Sequence, residues 1–157
     1  MSGAKDFIND AELVLVGFAD PAVEREVRAQ LEHPMPVRSV ATLSAAEQTL
    51  QETAVAVLAL GPGVCGPKPE ECLSFLETFK QRHPFQWSTH LVLGLADKAV
   101  VRRLVQEDLL FFSGPGDAEP ASTAELVCAA TEHYRRTQVL GMAAETGVED
   151  RRAVIAR

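Results

Sequence analysis

Five short apolar runs alternate with amphipathic segments along this chain, and the alternation constrains the fold more than any other feature. The runs are ELVLVGF, PVRSVAT, AVAVLALG, THLVLGLA and LLFFSG. This pattern is typical of parallel strands joined by crossover helices. Because 157 residues suit one domain and crossovers are right-handed, we predict an α/β fold. It is a doubly wound five-stranded parallel sheet, strand order 2-1-3-4-5, with helices on both faces.

The composition of each run predicts its place in the sheet. Four runs are almost continuously apolar, which is typical of strands covered on both faces. The second run carries Arg38 and Ser39 and is expected at an edge.

Polar caps mark the expected helix starts. They are Asp20 before Pro21, Ser44 with Glu47, Asp97, and Ser122 with Glu125. The last helix is expected to run for about 24 residues and to stop at Gly147. We divide the chain into a flexible tail at 1–10, a domain at 11–138, and a helical extension with a C-terminal tail at 139–157.

Composition excludes several classes of partner and ligand. A net charge of −7 disfavours nucleic acid and anionic membranes, both of which attract basic surfaces. The apolar runs are too short to span a bilayer, so we expect a cytoplasmic protein. Cys65, Cys72 and Cys128 lack the spacing of a metal site and are interpreted as buried or idle thiols. We expect no cofactor and no metal.

Such folds bind ligands at the carboxyl ends of their strands. In this sequence those ends carry few acids, bases or nucleophiles. Asp20 is the one acid nearby, and we interpret it as a helix cap. The Gly-Pro-Gly segments at 61–63 and 114–116 fit turns better than phosphate loops. The four histidines are scattered and are expected at the surface, so we predict no catalytic residue.

Three segments resemble the receiver domains of bacterial response regulators, over roughly Glu12 to Gln138. PGVCG at 62–66 is similar to the turn after the phosphorylated strand of a receiver. FFSGPGDAE at 111–119 is similar to the signature of the fifth strand, and LVLVGFADP to the first strand with its acidic turn. The resemblance implies a receiver-like, flavodoxin-like fold and a role in two-component signal transduction.

The same resemblance places the functional positions of a receiver on unreactive residues. The acidic pair falls on Phe18 and Ala19, and the phosphorylated aspartate on Ala59, or on Leu60 with a different gap. The switch hydroxyl falls on Gly94 and the lysine on Gly114. This implies a pseudo-receiver that is not an enzyme and is not phosphorylated. We expect Phe18 to fill the space of the lost metal site.

The resemblance also implies that contacts with a protein partner, or with a second copy in a homodimer, use the fourth predicted helix, the fifth strand and the fifth helix. The candidate interface residues are Arg102, Arg103, Glu107, Asp108, Glu125, Glu132, Arg135 and Arg136. A solvated helix face explains these charges equally well. An alternative function is a small-molecule binding domain that uses the emptied apolar cleft. An enzyme with unfamiliar chemistry is a third reading.

Overall fold

The structure is a computed structural model that describes residues 11–83, 88–110 and 112–155, with side chains described as far as Thr137. The predicted tail at 1–10 lies outside these residues. Within the described ranges, no helix combines the length and the apolar character needed to cross a membrane.

The described chain alternates strands and helices, and all strand pairs are parallel in the order β2-β1-β3-β4-β5, so the predicted fold is confirmed. The elements are β1 (Glu12–Val16), α1 (Pro21–Gln30), β2 (Val37–Val40), α2 (Leu43–Glu52), β3 (Val55–Leu60), α3 (Pro62–Cys65), α4 (Pro69–Arg82), β4 (Thr89–Leu93), α5 (Lys98–Gln106), β5 (Phe112–Gly114) and α6 (Pro120–Ile155).

Two apolar cores lie on opposite faces of the sheet. One packs β-strand residues such as Leu58 against α2, α4 and α5, and the other packs residues such as Leu91 against α1 and α6. Strands β3 and β4 are buried along their whole length, as their apolar runs predict. Burial of both faces is the largest favourable term in a sheet of this kind.

The two edge strands differ from the buried ones. Strand β2 is an edge, as predicted, and Arg38 donates two hydrogen bonds of 2.9 and 3.1 Å to the carboxylate of Glu12. These bonds hold the pKa of Glu12 below its ordinary value. The fifth run was expected to be covered on both faces, and this is wrong. Strand β5 has three residues at the other edge, where Ser113 is exposed.

Two of the predicted helix caps are confirmed. An Asp20 side-chain oxygen accepts a hydrogen bond of 2.9 Å from the amide of Ala22. Asp97 accepts bonds of 3.0 and 3.2 Å from the amides of Ala99 and Val100. Each aspartate satisfies amides that have no partner inside the helix.

The other two predicted starts are wrong. Thr42 caps α2 instead of Ser44, because Thr42 has an extended backbone and its hydroxyl accepts from the amide of Ala45 at 3.2 Å. Helix α6 begins at Pro120, two residues before Ser122, because proline fits the first turn of a helix.

The last helix is longer than the sequence predicts. It spans 36 residues and continues through Gly147 to Ile155, so the predicted stop is wrong. A single glycine lowers helix propensity by about 1 kcal/mol, which the rest of a long helix outweighs. The helix therefore crosses position 138, where we had ended the domain, without a break.

Candidate functional site

The carboxyl ends of the strands meet in one small cleft. Its volume is about 200 Å³, and Phe18, Ala19, Asp20, Pro62 and Gly116 are among the residues that line it. Pockets for small organic ligands usually hold roughly 300–1,000 Å³. Asp20 is the one ionisable residue among those that line the cleft in the described part of the chain, and its carboxylate already caps α1.

The loop after β3 folds directly onto the end of β1. The amide of Gly61 donates to the carbonyl of Val16 at 2.7 Å, and the amide of Gly63 donates to the carbonyl of Gly17 at 3.0 Å. Phe18 is half-buried, belongs to the same apolar cluster as Ala59, and packs against Gly61. Backbone and ring together occupy the crevice between β1 and β3, which in doubly wound folds is the usual ligand site.

The ends of β4 and β5 are closed by Pro62. A Cβ atom added at Gly94 would lie 2.9 Å from Cβ of Pro62, and one added at Gly116 would lie 2.8 Å from it. The amide of Gly94 donates to the carbonyl of Gly114 at 2.9 Å. Gly94 also has a φ of +77°, a conformation that favours glycine. These glycines leave room for Pro62, and this packing explains them without a phosphate.

The structure brings some of the predicted site positions together and separates others. Phe18 and Ala19 line the cleft. Ala59 is fully buried inside β3, paired with strand neighbours Leu15 and Leu91. Leu60, the alternative position, is buried in the core of the opposite face. Gly94 and Gly114 meet each other through their backbones beside the cleft.

Two of the predicted interface residues, Arg103 and Glu107, form contacts with α4 of the same chain. A terminal guanidinium nitrogen of Arg103 lies 2.7 Å from the carboxylate of Glu77 on α4 and 3.3 Å from that of Glu107. The ammonium group of Lys80, also on α4, donates to the carbonyl of Glu107 at 2.7 Å. Arg103 and Glu107 therefore lie on the flank of α5 that faces α4.

Glu132 lies on the opposite side of the sheet, close to the end of α1. Its carboxylate, that of Glu32 and the imidazole of His33 place their ligand atoms within 4.8 Å of one another. Among the described residues, these three form the group whose side chains lie close enough together to act as ligands of one metal ion. Glu32 and His33 are exposed, and exposed acidic groups are common without a metal, so we assign no metal here.

The other predicted interface residues are exposed. They are Arg102, Asp108, Glu125, Arg135 and Arg136. The sequence prediction missed Val105, which is 57 % exposed. Two residues along a helix turn by about 200°, so Val105 lies on the flank of α5 opposite Arg103. Val100 and Leu104 fill the buried stripe of α5, a helical pattern that already leaves Val105 outside the core.

Aromatic rings join β5 to α6. The rings of Phe112 and His133 meet edge to face with centroids 5.6 Å apart. We give the name β5 face to Arg102, Val105, Ser113 and His133, which lie on β5 and on the helices before and after it. It combines an exposed valine, an exposed arginine and an exposed edge strand.

A wider groove, which the sequence analysis did not predict, lies between α2 and α4. Its volume is about 690 Å³, with Leu50, Phe75 and Phe79 among the lining residues. An ion pair between Glu47 and Arg82 stands at its rim. Its lining also includes titratable side chains, among them Glu70, Glu71 and His83.

The comparisons with known proteins agree with this fold. No protein-family model matches the chain, and no curated protein sequence matches it. Among solved structures, the chain is similar to the signal receiver domain of an HD domain-containing protein from Pseudomonas fluorescens Pf-5. The TM-score is 0.60 at 16 % identity, covering 81 % of this chain and 98 % of that domain. The protein therefore has a receiver-like fold.

Proposed function

We propose that this protein is a pseudo-receiver, a non-catalytic and phosphorylation-independent signalling module of a bacterial regulatory system. The observation that carries the proposal is the small cleft at the strand ends, whose one carboxylate is used as a helix cap. Phe18, Pro62 and the loop backbone pack at the strand ends, where a receiver-like fold would carry out phosphoryl transfer, and leave a cleft of about 200 Å³. Signalling through this domain then depends on contacts with protein partners.

Phosphoryl transfer to a protein carboxylate requires groups that this cleft does not supply. The reaction needs a carboxylate nucleophile, and oxygen ligands for a cation that offsets the charge of the transferred group. The cleft lining contains one carboxylate, and the amide of Ala22 already binds it as the α1 cap. The small-molecule alternative has less support, because about 200 Å³ falls below the usual volume of an organic ligand site.

We expect acetyl phosphate with Mg²⁺ to leave the protein unmodified. Asp20 is held as a helix cap, and Phe18 and Ala19 stand where metal ligands would be required. Intact mass spectrometry measures the result, with a phosphorylatable receiver treated in parallel. A gain of one phosphoryl group on an aspartate of this chain would contradict the proposal.

We propose the β5 face as a contact surface for a second copy, because the resemblance to receivers implies dimer contacts on these elements and Val105 leaves an apolar side chain exposed there. We expect Val105→Asp to weaken self-association at least tenfold, because it places a charge where an apolar contact would be buried. The matched control is Ala29→Asp on α1, an exposed position away from the β5 face. Sedimentation velocity over a concentration series measures the dissociation constant. Equal association of the two variants, or a wild-type protein that stays monomeric, contradicts this contact.

A further inference from the structure

Two of the three cysteines meet inside the core. The sulfur atoms of Cys65 and Cys72 lie 3.2 Å apart, and the two residues are 1 % and 0 % exposed. Cys65 ends α3, and Cys72 lies in the first turns of α4. The sequence analysis interprets the cysteines as buried or idle thiols, and Cys65 and Cys72 are buried, but that interpretation does not account for the contact between their sulfur atoms.

We propose that Cys65 and Cys72 form an oxidative modification site, at which a hydroperoxide converts the two thiols into an intramolecular disulfide. A disulfide bond is about 2.05 Å long, so the sulfur atoms need to approach by about 1 Å. Side-chain rotation and a small shift of the short helix α3 supply a movement of that size. The inference stands independently of the proposed function.

Contact between the sulfurs also prepares one of them as the nucleophile. In the structure the thiol of Cys72 donates to the sulfur of Cys65. When Cys72 ionises, the thiol of Cys65 donates to it instead, which lowers the pKa of Cys72. The same hydrogen bond, together with burial, raises the pKa of Cys65. Because the thiolate is the reactive form of cysteine, Cys72 attacks first and Cys65 resolves.

The reaction has two steps. The Cys72 thiolate attacks one oxygen of the hydroperoxide, the O–O bond breaks, and a sulfenic acid forms while hydroxide or alkoxide leaves with a proton. The sulfur of Cys65 then bonds to the sulfur of Cys72 and displaces the sulfenic hydroxyl as water. The two thiols lose two electrons and two protons, and the peroxide is reduced.

The disulfide would secure the loop that lines the cleft. Cys65 lies three residues after Pro62, which packs on Gly94 and Gly116. A bond to Cys72 would tie this loop to α4 and close a ring of eight residues. By constraining the unfolded chain, such a ring should raise the thermal midpoint by about 5–10 °C.

Cys128 supplies an internal control. It is half-buried on α6, where its sulfur lies 3.9 Å from the carbonyl of Val27. Burial raises the pKa of Cys128, and the charges of Glu132 and Glu32 act in the same direction. A higher pKa leaves less thiolate, so Cys128 should react slowly.

The test treats the folded full chain with hydrogen peroxide and then blocks the remaining thiols in denaturant. We expect intact mass spectrometry to show the loss of two hydrogen atoms and one blocked thiol, Cys128. Digestion after Glu70 or Glu71 separates Cys65 from Cys72 along the chain, so only a disulfide keeps the two peptides joined. The variant Cys128→Ser should form the same bond at the same rate.

Two variants that each lack one of the paired cysteines complete the test. Cys72→Ala and Cys65→Ala should each fail to lose the two hydrogens, and small apolar replacements suit these buried positions. If either variant is unfolded, the wild-type digest still decides the matter. Recovery of Cys65 and Cys72 as two blocked thiols from the peroxide-treated folded protein, whether or not Cys128 is oxidised, overturns the proposal.

Discussion

The free energy of unfolding should fall by about 3 kcal/mol as the pH drops from 6.5 to about 4, because of His90 alone. His90 lies in β4 and is 5 % exposed, so the prediction of surface histidines is wrong for this residue. Its Nδ1 atom is 3.0 Å from the carbonyl of Leu109, and Phe79 packs edge to face with centroids 5.3 Å away.

The direction of the effect follows from where the proton binds. Burial lowers the pKa of His90 from 6.5 to about 4 in the folded protein, since a charged imidazole is costly in an apolar core. Between these two values the unfolded chain binds a proton that the folded chain does not. Stability is therefore complete above pH 6.5 and is lost as the pH falls to about 4.

Urea unfolding followed by circular dichroism across this pH range measures the loss. The matched control is His90→Asn, whose side-chain amide is able to donate to the carbonyl of Leu109 but does not titrate. Carboxylates with lowered pKa values, such as Glu12, also reduce stability in acid, and they do so equally in both proteins. Parallel curves for the wild type and the variant would show that His90 does not carry the effect.

The order of the sheet could be predicted because alternating strands and helices with right-handed crossovers leave few arrangements, of which the doubly wound order is the commonest. The composition of each strand adds its expected burial. The buried runs of β3 and β4 and the polar edge at Arg38 all follow from residues within a single element. The cap at Asp20 is equally local, since it joins residues two positions apart. Thr42 was missed because Ser44 and Thr42 are both competent caps, and the backbone conformation decides between them.

The small cleft could be predicted only in part. The resemblance to receivers indicated which chemical groups are absent, and Phe18 and Ala19, two of the positions it named, line the cleft. It did not indicate that Pro62 packs between Gly94 and Gly116, because that contact joins three separate loops. The glycines suggested turns when taken singly, and their role in packing depends on distances that no local pattern encodes.

We expect Gly63→Ala to lower the free energy of unfolding by about 2–4 kcal/mol, through overpacking and a lost hydrogen bond. The new Cβ atom would lie 2.5 Å from the carbonyl oxygen of Gly17, a backbone atom fixed at the end of β1. Relief requires the loop to move away, which breaks the 3.0 Å hydrogen bond from Gly63 to Gly17. Elsewhere in a helix, replacing glycine by alanine stabilises by roughly 0.5–1 kcal/mol, so the sign of the change is diagnostic.

Urea unfolding measures the change. The control, Ala129→Gly on the exposed side of α6, should show the ordinary cost of a helical glycine, about 1 kcal/mol. A Gly63→Ala protein as stable as the wild type would mean that the loop after β3 does not rest on β1, and the small cleft on which the pseudo-receiver proposal depends would be larger.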